Sequence, residues 1–139
     1  MEKRYTNAFE KLFVSILNLT TTFVLSIPFL LYFGFTTKYR IALSILFLIQ
    51  NILYIFISKN RYLGMIILNA YWEKEYSLKK KLLYSFLYSL SFATCVIWIY
   101  FPLDLLILNL LFIQLPFILV TGKTLHGYIA GMVGVRELD

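Results

Sequence analysis

Four long runs of this chain carry no charged residue: Leu12 to Thr37, Ile41 to Ser58, Leu82 to Leu103 and Leu105 to Gly122. Each is about 18 residues or longer, and at 1.5 Å of rise per residue such a helix crosses a hydrocarbon core of roughly 30 Å. Between the runs, the charges gather in short basic clusters. The pattern predicts an all-α membrane protein, a single transmembrane domain over residues 1–139, with four transmembrane helices at about 12–35, 41–58, 82–101 and 104–121. Residues 59–81 are then a cytoplasmic, amphipathic interfacial segment between helices two and three, and 122–139 a cytoplasmic tail. Pro116 leaves room for a kink or a re-entrant fourth segment. A secretory signal behind Lys3 and Arg4 is excluded, because its apolar core would be about 7–15 residues and end at a small-residue cleavage site.

Polar positions inside the runs are periodic. Lys11, Ser15, Asn18, Thr22 and Ser26 recur at steps of four, three, four and four, which puts them on one face of the first helix. Arg40, Ser44, Asn51, Tyr54 and Ser58 share a face of the second helix, with Gln50 beside it. The two stripes are expected to meet. They read either as hydrogen-bonded helix glue or as a polar pathway with Asn18 and Asn51 as oxygen donors; no ionisable residue lies near mid-membrane, which favours glue. Ser85, Ser89 and Ala93 on the third helix form a small-xxx-small packing face. Asp104, Asn109 and Gln114 step by five and do not share a face.

Composition agrees with the pattern. Of 139 residues, 60% are hydrophobic and 14% charged, against about 25% charged in an ordinary soluble domain. Lys and Arg are distributed unevenly. The N-terminal region has Lys3, Arg4 and Lys11, the middle segment Lys59, Arg61, Lys74, Lys79, Lys80 and Lys81, and the tail Lys123 and Arg136; Lys38 and Arg40 stand alone in the first loop. The positive-inside rule places both termini and the middle segment in the cytoplasm, in a multi-pass inner-membrane protein. The net charge of +6 then serves topology and anionic headgroups rather than nucleic acid. Tyr71, Trp72 and Tyr76 among charges mark the middle segment as headgroup-level. Tyr62 to Asn69 and Gly131 to Arg136 can also be read as strands that pair.

Candidate chemistry is sparse. With Cys95 the only cysteine and His126 the only histidine, no disulfide, metal site, cofactor site or nucleophile–base pair is expected, and the chain reads as non-enzymatic. Gly122-Lys123-Thr124 resembles the end of a phosphate-binding loop, but Phe117 occupies the position that needs glycine and an apolar run precedes it.

The segment Gly122 to Met132, GKTLHGYIAGM, is similar to the basic-Thr-Leu-His motif of the RDD family of small bacterial membrane proteins, with Lys123, Thr124, Leu125, His126 and Gly131 in register. Asn60 to Gly64 and Tyr76 to Leu78 resemble that family's elements around the middle loop, and Lys11 and Asn18 stand where it has Arg and Asp. Gly127 replaces a further Asp. The resemblance implies a transport-related or accessory protein, and a charge-depleted version is poorly suited to proton-coupled exchange. The expected partners are the bilayer and other membrane subunits or a second copy. The expected function is an accessory or structural subunit of a larger inner-membrane complex, an immunity or stress-protection protein being indistinguishable from it; the alternative is an RDD-like small-solute or ion transporter acting as a homo-oligomer.

Overall fold

The computed structural model describes residues 2–59, 61–96, 113–121 and 125–138. The outer corner Phe101 to Asp104, Asn109, Lys123 and Thr124 lie outside the described residues, as does half of the expected fourth helix. Among the described residues the chain is 72% helical, in seven helices. These are α1 (Ala8–Leu25), α2 (Ile27–Phe33), α3 (Thr37–Ile57), α4 (Leu63–Ile67), α5 (Leu78–Val96), α6 (Leu115–Thr121) and α7 (Leu125–Ala130); the strands are β1 (Glu2–Tyr5), β2 (Ala70–Trp72) and β3 (Gly134–Leu138).

The first helix starts earlier than its apolar run. Asn7 Oδ1 accepts from the Glu10 N–H and Glu10 Oε2 accepts from the Asn7 N–H, both at 2.9 Å, a reciprocal cap that satisfies two end donors. Nor is it continuous over 12–35. It ends at Leu25 and resumes as α2 beyond Ser26, with Pro28 in the new first turn, where a missing N–H is tolerated. Likewise α3 and α5 begin at Thr37 and Leu78, before their apolar runs, because charged side chains at a water-facing helix end do not interrupt the backbone ladder.

Two helices, α1 and α3, are long and apolar enough to cross a membrane. At 1.5 Å per residue their 18 and 21 residues extend roughly 27 and 31 Å. Only 17% and 33% of their apolar windows are buried. Phe9, Leu31, Tyr32, Phe56 and Ile57 stand well exposed on α1 to α3.

The all-α expectation is corrected. A three-stranded antiparallel sheet of order β1-β3-β2 joins the first residues, the middle segment and the last residues, with Arg4 and Ala70 both opposite Arg136. Strands of four, three and five residues are too short to show alternation. Of the two strand readings, the later one holds in shifted form as β3, and it does pair with the middle segment. Tyr62 to Asn69 is instead mostly the helix α4, with Asn69 at φ 53° turning the chain into β2. Helix α4 packs by backbone approach: a Cβ on Gly64 would lie 2.6 Å from Val14 Cα. The middle segment packs one side into the core. Tyr62, Met65, Ala70 and Tyr76 are buried with Tyr84 and Tyr88. Within the predicted tail 122–139, residues 125–138 are folded, with α7 and β3 as their elements. Gly131, at φ 70°, closes α7 with Met132 N–H bonded to Gly127 O and Gly131 N–H to Tyr128 O, a left-handed helix end.

Candidate functional site

Where α1, α3 and α5 meet, the polar side chains form a chain of hydrogen bonds with a single direction. Thr22 Oγ1–H donates to Gln50 Oε1 at 2.8 Å, Gln50 Nε2 to Asn18 Oδ1 at 2.8 Å, Asn18 Nδ2 to Asn51 Oδ1 at 3.2 Å, and Asn51 Nδ2 to Ser89 Oγ at 3.1 Å. Ser85 Oγ donates to the Asn51 carbonyl at 3.5 Å. Each amide thus gives through its nitrogen and receives through its oxygen. Asn18, Thr22, Asn51 and Ser85 have no solvent exposure at all, and Gln50 and Ser89 are buried. One turn outward, Ser26 Oγ meets Tyr39 OH at 2.8 Å. We refer to this array as the seam.

The helical periods explain it. Asn18, Thr22 and Ser26 at steps of four stay on one face of α1, and Ser85 and Ser89, with no bulk beyond Cβ, let α5 come close to α3. An amide is neutral and carries both donor and acceptor, so it can satisfy another amide without water. The oxygens are committed to protein donors, and the arrangement is chemically that of interhelical adhesive.

Not every stripe residue joins. The Ser44 hydroxyl bonds back to Arg40 O on its own helix at 3.0 Å, and Arg40 lies over the Phe35 ring at 5.2 Å. Ser44, Ser89 and Ala93 line an apolar groove of about 200 Å³ between α3 and α5. Lys11 and Ser15 lead to a separate cavity of about 60 Å³ beneath the sheet, lined also by Glu10, Tyr62, Trp72, Tyr84 and Tyr88. That volume matches a few water molecules. Its inner end is closed by Tyr88, whose hydroxyl donates to Ser15 Oγ at 3.4 Å. Neither Asn18 nor Asn51 lines either cavity. Tyr62 OH is buried near Ser85 without a hydrogen bond to it, and loss of hydration pushes the phenol well above its usual pKa.

A second array, the collar, lies at the sheet end of α1. The buried carboxylate of Glu10 takes Arg4 Nη2 and Nη1 at 2.5 and 3.2 Å and Arg136 Nη1 at 2.7 Å. It ties β1, α1 and β3 together. Sequence reading missed it and also missed that Gln50 is a hub of the seam. Asn7-Ala8-Phe9-Glu10 ahead of an apolar run is a capping-box signature and was the available signal for Glu10; its two arginine partners lie 6 and 126 residues away, and nothing local announces the second.

Of the family-like motif, Leu125 and His126 open α7 and Gly131 ends it. Gln114 Nε2 donates to Ser91 Oγ on α5 at 3.2 Å. Compared with protein-family models, with curated proteins and with solved structures, the chain matches none.

Proposed function

We propose that this chain is a non-catalytic, four-span integral membrane protein that acts as an accessory or structural subunit of a larger inner-membrane complex. The observation that carries the proposal is the seam: its amides are satisfied by one another and by Thr22 and Ser89, it holds no Asp, Glu, Lys, Arg or His, and Asn18 and Asn51 line neither of the two cavities described above, only Ser89 bordering the apolar groove. A carrier would need those oxygens turned toward a substrate or toward water. Exposed apolar side chains along α1 and α3 support the membrane location.

The sheet supports the four-span count. Its three strands come from before α1, from between α3 and α5, and from after α7, so all three connections belong to one side. Helices α1 and α2 then go out, α3 returns, α5 goes out, and a fourth passage ending in α6 brings the chain back. That side also carries eleven of the thirteen Lys and Arg residues, which assigns it to the cytoplasm. The likeness to the RDD family remains part of the proposal, as the source of the transport-related alternative.

The test is affinity purification of the tagged protein from its native membrane in mild detergent. A stoichiometric larger membrane protein is the expected companion, and a monomer or clean homo-oligomer in several detergents would overturn the subunit reading. One observation favours the carrier alternative: the small cavity reaches from the collar down to Ser15, a single turn from Asn18. Flux into liposomes above that of an Asn18→Leu control would establish that alternative.

A further inference from the structure

We propose that the lysine cluster leading into α5 binds the phosphate headgroup of an anionic phospholipid of the cytoplasmic leaflet, an inference that rests on the membrane reading above. Lys74, Lys79, Lys80 and Lys81 fall within one short stretch, and Lys74, Lys79 and Lys80 are exposed. The ammonium groups of Lys74 and Lys80 lie 5.5 and 5.7 Å from the centre of the same Tyr76 ring. Trp72 packs edge-on against that ring at 6.4 Å, so aromatic side chains of the kind that settle at headgroup depth flank the cluster.

Glu73 and Glu75 flank Lys74, but no carboxylate stands beside the three lysines at the start of α5. Lys79, Lys80 and Lys81 occupy the first turn of a 19-residue helix that has no acidic residue there, at the end where the helix dipole already repels cations. Among the described residues no ion pair joins any of the four lysines to a carboxylate; the pairs present all belong to Glu10. An anion from outside the chain would relieve the repulsion.

The choice of a lipid rather than a soluble anion comes from what continues beyond the lysines. Leu78, Leu82 and Phe86 recur every four residues along α5 and all three are exposed, so an apolar track runs up the helix from the charged turn. A phospholipid meets both parts at once, phosphate on the ammonium groups and acyl chain along the track. Inorganic phosphate or a nucleic acid would use only the first.

The test uses the full chain in vesicles with Trp98→Phe, leaving Trp72 as the sole tryptophan. Quenching of Trp72 by brominated phosphatidylglycerol is compared with quenching by brominated phosphatidylcholine. The expected preference for the anionic lipid is at least about fivefold, the effect of one lysine near an anionic surface. It should fall to parity in K79Q/K80Q/K81Q and survive in K79R/K80R/K81R. Equal quenching by the two lipids in the parent protein would overturn the proposal, as would a preference that persists in the glutamine variant, which would leave the lysines a purely topological role. If the glutamine variant fails to fold by circular dichroism, a salt titration of the parent decides: a headgroup contact weakens as salt screens it, and a salt-independent preference overturns the proposal. Displacement by millimolar inorganic phosphate would mean a free-anion surface and would equally overturn it. Release of the protein from native membranes by alkaline carbonate would instead sink the membrane reading itself.

Discussion

Asn18 and Glu10 lie on the same helix, a little over two turns apart, and each is a buried polar residue holding α1 to other parts of the chain. They do it with different chemistry. Asn18 sits fully buried among neutral amides and hydroxyls, whereas Glu10 is an ion held by two arginines whose side chains remain 36% and 33% exposed. A buried charge must be stabilised against the loss of its hydration, and partners near water do this at low cost. A neutral amide needs only a matching donor and acceptor. The gradient along α1, from ionic collar to amide seam, therefore follows the availability of water. It teaches that a charge-free stretch can be rich in specific polar contacts.

The largest expected effect breaks the seam. Asn18→Leu leaves Asn51 Oδ1 without its donor and Gln50 Nε2 with only long 3.5 Å contacts to the residue-18 carbonyl and Tyr54 OH, and should cost about 3 kcal/mol, from roughly 1–3 per buried group left poorly satisfied. Unfolding in mixed detergent measures it. Replacing Asn18, Gln50 and Asn51 together with Leu should recover much of that loss. A triple variant no more stable than the single one would show that shape, not hydrogen bonding, sets the cost.

Next comes the packing between the two arrays. Gly64→Ala puts a methyl group 2.6 Å from the Val14 backbone and should cost about 2 kcal/mol by overpacking. Gly34→Ala, at φ 63° but with nothing within 4 Å, should lose only about 1 kcal/mol through backbone strain. Equal losses at the two glycines would mean that α4 yields and that its contact with α1 is soft.

A smaller effect sharpens the contrast in electrostatics. Glu10→Gln should cost about 1 kcal/mol, since its arginine partners are partly screened by water. In roughly 1 M salt, where the screening length is about 3 Å, parent and variant should converge, while the deficit of Asn18→Leu should persist. A Glu10→Gln deficit that ignores salt would show that the carboxylate acts as a cap rather than as an ion. Smallest of all, Tyr5→Phe removes an exposed hydrogen bond to Glu73 and should leave the unfolding midpoint unchanged.

Much of the helical part was legible in the sequence because lipid-scale apolar runs and period-four polar residues are dense, local signals. Asn18 and Asn51 were identified as facing residues from spacing alone, and they do touch. The break at Ser26 was less legible, since Pro28 in an apolar run suits a kinked helix and a new helix start equally well. The sheet was nearly invisible. Glu2-Lys3-Arg4-Tyr5 has no alternation to read, and its stability comes from β3, more than 120 residues later. Gln50 was set beside the stripe because its Cα is off the face; its longer side chain covers the difference.

The order of the strands has a consequence for biosynthesis. Strand β3 is central in the sheet but the last of the three strands to be made, so until it emerges β1 and β2 have no neighbour to pair with. Arg136, the second arginine on Glu10, arrives with it. Helices α1 to α5 are therefore made while the sheet is still open, and β3 latches it. A chain cut before β3 would display two bare strands and a carboxylate held by one arginine instead of two.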